Sequence, residues 1–132
     1  MADVVILGAG ISGHTAALHL RRKLGRGGEH TVTVISPNSN WNWIPSNIWV
    51  GVGKMSKKDV VFPLAPVYAK KGITFRQAKA VAIRPEGDTD DARGAVDIVH
   101  TGPERAGEEE RLRYDYLVNA TGPQLKFAMT PG

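Results

Sequence analysis

The chain opens on four consecutive apolar positions, Val4-Val5-Ile6-Leu7, changes at once to Gly8-Ala9-Gly10-Ile11-Ser12-Gly13, and continues as the Ala- and Leu-rich run His14-Thr15-Ala16-Ala17-Leu18. An unbroken apolar run bounded by glycine predicts a strand buried on both faces, and the run behind it predicts a helix over 12–24. The Gly-rich connection 25–30 leads to Thr31-Val32-Thr33-Val34-Ile35, a β-branched strand that completes a strand–helix–strand unit. Residues 62–72 predict a second, short helix with Pro63 near its start and Gly72 at its end. Ile73 to Ala78 predicts a third parallel strand, continuing through Val81 to Arg84 into a turn at Pro85-Glu86-Gly87-Asp88.

From there the pattern is a meander. Ala95 to His100 alternates as a strand, Thr101 to Glu110 is an acidic turn, and Arg111 to Tyr114 leads through Asp115 into the apolar strand Tyr116 to Ala120. The acidic runs at 88–91 and 108–110 read as solvated hairpin tips, with no carboxylate pair set for acid/base work. Lys54 to Lys58 reads as a polar linker. The stretch 40–53 holds all three tryptophans and fits neither strand alternation nor helical period, so it predicts an ordered loop. The expected fold class is α/β: a Rossmann-like parallel sheet with flanking helices and an antiparallel β-meander.

Composition narrows the chemistry. A length of 132 residues corresponds to about one domain, shorter than a complete two-nucleotide oxidoreductase requires. The absence of cysteine excludes disulfides, thiolate metal sites and thiol redox chemistry within this stretch. The four histidines, His14, His19, His30 and His100, are scattered without metal-ligand spacing, so no metal is expected. The net charge of +4 comes from 17 basic residues dispersed among 13 acidic ones, which does not make the basic stripe of a nucleic-acid binder. The densest basic run, Arg21-Arg22-Lys23 with Arg26, falls where the first helix ends, and cations there complement the helix dipole. No apolar run reaches the roughly 20 residues of a spanning helix, and Met1 stands three residues before the first strand, so a soluble, cytoplasmic chain is expected.

The glycines carry the most specific signal. In GxGxxG, Gly8 allows the tight turn out of the strand, Gly10 lets a pyrophosphate approach the backbone, and Gly13 with Ala17 lets the helix pack close to the sheet. The unpaired amides and the positive end of the helix dipole then face the phosphates. The same spacing occurs by chance in Gly-rich loops; its position between a strand and a helix favours the dinucleotide turn. The acidic residue expected at the end of the second strand is replaced by Ser36-Pro37-Asn38, which can hydrogen-bond a ribose without a charged acceptor. Far along the chain, Ala120-Thr121-Gly122 brings small residues to the carboxyl edge of the same sheet. The tryptophan-rich stretch reads equally as a core plug beneath a loop or as one wall of a flat aromatic ligand site.

Taken together, Val-Val-Ile-Leu-Gly-Ala-Gly at the start, Val-Thr-Val-Ile-Ser at 32–36, Ile-Pro-Ser-Asn-Ile-Trp-Val-Gly-Val-Gly at 44–53, Phe-Pro-Leu at 62–64, Lys-Lys-Gly-Ile-Thr-Phe at 70–75, Tyr-Asp-Tyr-Leu-Val-Asn-Ala-Thr-Gly-Pro at 114–123 and the final Pro-Gly give the chain a strong likeness. It resembles the N-terminal part of a flavoprotein of the pyridine nucleotide-disulfide oxidoreductase superfamily, and within it the sulfide:quinone oxidoreductases. The first and last segments are shared widely among flavoproteins; the stretch 45–53 points to the sulfide:quinone branch.

The resemblance implies FAD as cofactor. It assigns the pyrophosphate to Gly8, Gly10, Ser12 and Gly13, and the adenosine ribose to Ser36 and Asn38. The adenine would pass the backbone of Lys79 and Ala80, the isoalloxazine would lie near Pro45 and Asn47, and Thr121 and Gly122 would close the pyrophosphate side. No catalytic residue is assigned, because in the family sulfide attacks a cysteine disulfide beside the flavin and a quinone removes the electrons, and those cysteines are missing here. Residues 1–132 are therefore expected to be the N-terminal part of an FAD-binding domain. The longer enzyme would take sulfide and quinone, touch the inner membrane surface peripherally through a C-terminal region, and leave room for a homo-oligomer. A type II NADH:quinone reductase is the rival within the same superfamily, and a non-catalytic dinucleotide-binding module the rival outside enzymes.

Overall fold

The computed structural model describes residues 1–129; the final Pro-Gly of the resemblance lies outside the described residues. The strands are β1 (Asp3–Leu7), β2 (Thr31–Ser36), β3 (Asn40–Asn42), β4 (Val61–Pro63), β5 (Thr74–Arg84), β6 (Ala95–His100), β7 (Glu109–Arg113) and β8 (Tyr116–Asn119). Six of them form a central sheet in the order β7-β6-β5-β2-β1-β8, and β3 and β4 form a separate pair. The helices are α1 (Ile11–Leu24), α2 (Asn47–Gly51), α3 (Lys57–Val60) and α4 (Leu64–Lys71).

The continuous apolar run of β1 follows from its place. β1 pairs in parallel with β2 on one side, Leu7 opposite Ile35, and with β8 on the other, Leu7 opposite Asn119. Its alternate residues therefore need two cores. Val4 and Ile6 join Val32, Val34, Ala17, Leu64, Tyr68 and Ile73 beneath the helices. Val5 and Leu7 join Ile35, Ala78, Val96 and Ile98 beneath the meander.

Strand β5 belongs to both parts of the sheet. Thr74 to Gln77 pair in parallel with β2, and from Ala78 the same strand pairs antiparallel with β6, with a register shift between Ala80 and Ala82. That bulge bends the strand across the carboxyl ends of β1 and β8, where Leu7, Ala80 to Ile83, Asn119 and Thr121 line one cavity.

Three expectations are corrected. The stretch 40–53 is not a plain loop: Asn40–Asn42 pairs with Val61–Pro63, a 3₁₀ turn covers Ile44–Ser46, and α2 follows. Its short elements face solvent on most sides, so no burial imposes a period on the sequence. The linker at 54–58 carries the start of α3, set by a capping box in which the Asp59 carboxylate accepts from the Ser56 amide at 2.7 Å. The acidic hairpin tips are anchored: Asp88 pairs with Arg111 and Arg113, and Glu110 lies 2.7 Å from His100 Nε2. The Asp97 carboxyl is drawn down to about 2, first by its hydrogen bond from Arg111, against partial burial, and then by that from Arg84.

Gly8 has φ +95, and a side chain there would overlap the carbonyl of Ala120. Gly8→Ala should lower stability by at least about 2 kcal/mol, from left-handed strain plus the clash. Gly10→Ala should cost about 1 kcal/mol or less, because a side chain at Gly10 meets nothing within 4 Å. Urea unfolding of both variants checks the pair, and equal losses would contradict the geometry.

Candidate functional site

The carboxyl ends of β1, β2 and β8 meet at Gly8. Its amide donates to Ile35 O at 2.8 Å, the Ala120 amide donates to Leu7 O at 2.8 Å, and a side chain at Gly13 would overlap the Gly8 carbonyl. Strand ends and helix start are thus held backbone to backbone. Helix α1 begins from Gly10 with no side-chain cap and no acidic residue in its first turn. Its first amides have no intrahelical acceptors, and the dipole leaves them electropositive. The space in front of Gly10 is open.

Thr121 lies against this turn, its Cα 3.2 Å from where a side chain at Gly8 would stand. Its amide and hydroxyl both donate to Asn119 Oδ1, at 3.3 and 2.9 Å, which folds the chain after β8. Asn119 and Thr121 line the cavity of about 330 Å³ with Leu7, Ala80 and Val81. Asn119 was not singled out from the sequence; an amide just before Ala-Thr-Gly at a strand end was the available signal. Lys79 is exposed on β5, next to Ala80. Ser36 is buried at the end of β2, and its hydroxyl accepts from the Asn38 amide at 3.3 Å. Asn38 itself lines a separate hollow of about 370 Å³ with Asn40, Asn42, Lys57 and Gln77.

Pro45 and Asn47 sit apart. Both are exposed, Pro45 in the 3₁₀ turn and Asn47 at the start of α2, and no hydrogen bond among the described residues joins either to the glycine turn. Aromatic packing, with the β3–β4 pairing, ties their segment to the domain. Trp41 lies on His14 and Phe62 with ring centroids 5.4 and 5.0 Å away, and Trp43 stacks on Trp41 at 5.6 Å. The core-plug reading of the tryptophan stretch holds for Trp41, which packs against the core edge, while Ile44, Ile48 and Trp49 are exposed.

The model of the pyridine nucleotide-disulphide oxidoreductase family matches residues 2–132. The chain belongs to this family. Its members are flavoproteins, and they are oxidoreductases. Among curated relatives, the sulfide-quinone reductase of Aquifex aeolicus is 30% identical over 124 residues, 94% of this chain and 25% of that protein. The external alternative NAD(P)H-ubiquinone oxidoreductase B1 of Solanum tuberosum mitochondria is 30% identical over 106 residues, 78% of this chain and 18% of that protein. The chain thus spans a quarter or less of the length of these relatives.

Among solved structures, the sulfide:quinone oxidoreductase of Aquifex aeolicus superimposes with a TM-score of 0.77 at 28% identity, covering 96% of this chain and 26% of that one. NDH2 of Plasmodium falciparum shares the fold, with a TM-score of 0.71 at 21% identity over 96% of this chain and 23% of that one. The family membership gives the glycine turn and the Ala-Thr-Gly turn a common frame, the carboxyl edge of a dinucleotide-binding sheet. Among the described residues no helix is long and apolar enough to cross a membrane, and no cluster of metal-ligating side chains occurs.

His14, one turn into α1, was read from the sequence only as a scattered histidine. It is buried, its Nδ1 lies 2.8 Å from the Tyr68 hydroxyl, and burial holds its pKa below the ordinary value of 6.5. Burial also pushes the Tyr68 phenol up to about 12. The folded state therefore favours neutral imidazole more than the unfolded state does. That stability is complete above about pH 6.5 and is lost as pH falls toward the lowered folded value. Urea midpoints should drop between pH 7.5 and 5, and His14→Leu should flatten that part of the curve; an unchanged slope would show that His14 does not set it.

Proposed function

We propose that this chain is the FAD-binding portion of an FAD-dependent oxidoreductase of the sulfide:quinone type, with residues 1–132 forming the N-terminal part of the FAD domain. The observation that carries the reading is the open space before Gly10 at an uncapped helix start, beside the cavity shared by Ala80, Asn119 and Thr121. A pyrophosphate placed there would meet the free amides near Ile11, Ser12 and Gly13 without displacing a side chain. Ser36 and Asn38 would take the ribose, Lys79 and Ala80 would pass the adenine, and Thr121 and Gly122 would border the phosphates. Pro45 and Asn47 would lie toward the ring. The neutral Ser36, in place of a carboxylate, supports FAD over NAD.

Bound FAD would supply two-electron redox chemistry. The chain's own residues would anchor and orient it: the glycine turn by amide donation, Asn119 by holding the Thr121 turn, and the Trp41 contact by fixing the segment that leads to Pro45. Sulfide as donor and quinone as acceptor follow from the likeness to sulfide:quinone oxidoreductases. Membrane contact and oligomer formation would reside in further parts of such an enzyme. The match to the potato NAD(P)H-ubiquinone oxidoreductase supports a type II NADH:quinone reductase as the second reading, against which cysteines elsewhere in such an enzyme would argue.

Calorimetric titration should show FAD binding more tightly than NAD, and Gly10→Val should abolish the FAD signal while leaving the thermal midpoint nearly unchanged. Tighter NAD binding, or normal FAD binding by Gly10→Val, would overturn the assignment. Mixed with FAD, sulfide and a soluble quinone, the 132-residue chain should turn over no faster than free FAD, since no thiolate is available for exchange. Saturable turnover would show that a cysteine mechanism is the wrong guide.

A further inference from the structure

At the opposite edge of the sheet, a cavity of about 420 Å³ is lined by Leu18, Arg21, Arg22, Arg26 and Lys71. The C-terminal ends of α1 and α4 converge there: Arg26 Cγ lies 3.8 Å from where a side chain at Gly72 would stand. Arg21 is only 6% exposed. One of its terminal nitrogens donates to His30 O at 2.9 Å, another donates to Gly25 O, and its Nε is buried without a partner. None of the four cations forms an ion pair among the described residues, and Glu29 in the same connection does not pair with them; the ion pairs of this molecule gather on the meander instead.

Dipole complementarity explains cations at helix ends. It does not explain a guanidinium buried with carbonyls but no anion, since buried charge is costly until its counter-charge is supplied. We propose that this cavity is a phosphate-binding site. Arg21, fixed by its two carbonyl contacts, supplies a steady positive field, and the exposed Arg22, Arg26 and Lys71 supply the contacts to the phosphate oxygens. The ligand chemistry is a phosphate group, either free in solution or on the headgroup of an anionic lipid. This site is separate from the glycine turn and does not depend on it.

Isotope-labelled chain is titrated with inorganic phosphate at constant ionic strength, and in parallel sedimented with vesicles of phosphatidylglycerol or of phosphatidylcholine. Saturable amide shifts confined to 18–28 and 69–72 support a soluble phosphate ligand. Pelleting with phosphatidylglycerol but not phosphatidylcholine, without saturable phosphate shifts, supports the headgroup. In either case the double variant Arg22→Gln/Arg26→Gln, which leaves the Arg21 cap intact, should lose about tenfold or more in affinity at an unchanged thermal midpoint. Shifts only at 11–13, equal binding by the double variant, equal pelleting with both vesicles, or no response in any arm would overturn the proposal. Gly10→Val should respond as the parent chain does, which keeps this test independent of the dinucleotide reading.

Discussion

The structure depends on one backbone crowding point, Gly8. Its amide is bound to β2, the position of its missing side chain is taken by the carbonyl after β8, and its own carbonyl fills the position of the missing side chain at Gly13. Three strands and a helix are thus brought to contact through main-chain atoms alone. Nothing larger than hydrogen fits at Gly8 or Gly13, and this fixes how closely α1 approaches the sheet. The helix N-terminus then lies directly above the carboxyl edge, and the open position at Gly10 is left in front of it. Packing necessity and ligand access are divided between neighbouring glycines of one motif.

Charge is divided as sharply. The meander neutralises its own charges: Arg84 and Arg111 hold Asp97, Arg111 and Arg113 hold Asp88, and Arg93 holds Asp3 and Asp115. Exposed pairs of this kind add little singly. Linked through shared residues, those at Asp88 and Asp97 fasten β6 and β7 to the turn at 88–91, and separately Arg93 ties the loop before β6 to the start of β1. The excess positive charge is left on the helical side, at the ends of α1 and α4. Net charge read from the sequence averages these two regions and hides both.

The regular part of the fold was legible because burial imposes a period on it. Strand β6 begins and ends where its alternation does, and the Pro63 and Gly72 boundaries frame α4. The α2 and α3 segments were missed because they are too short to carry a period, and α2 has no buried residue. Arg21 read only as one of the cations at the end of the first helix, because its carbonyl partners, His30 and Gly25, become neighbours only when the chain turns back after α1. Within the site, Gly8, Gly10 and Gly13 announced themselves by spacing, and Thr121 by its strand-end context. Asn119 and the bulge at Val81 did not, since one acts through a local turn and the other through register between β5 and β6.

The two ends of the proposed cofactor site rest on different supports. The pyrophosphate end is set by strands whose residues are almost wholly buried, from Val5 to Leu7 and from Val34 to Ser36. Its backbone is therefore anchored in the core, although Gly10, Ile11 and Ser12 face outward. The segment leading to Pro45 and Asn47 has no such support: it is attached by the Trp43 amide to Val60 O, by the β3–β4 pairing, and by Trp41 lying on His14. The next residues turn Ile44, Ile48 and Trp49 outward. Local stability follows buried contacts, so on this proposal the pyrophosphate end is the more firmly fixed of the two. In the proposed cofactor site, the turn from Gly8 to Gly13 is therefore held by the core, while the segment carrying Pro45 and Asn47 is held only by the β3–β4 pairing, the Trp43 amide and the Trp41 contact.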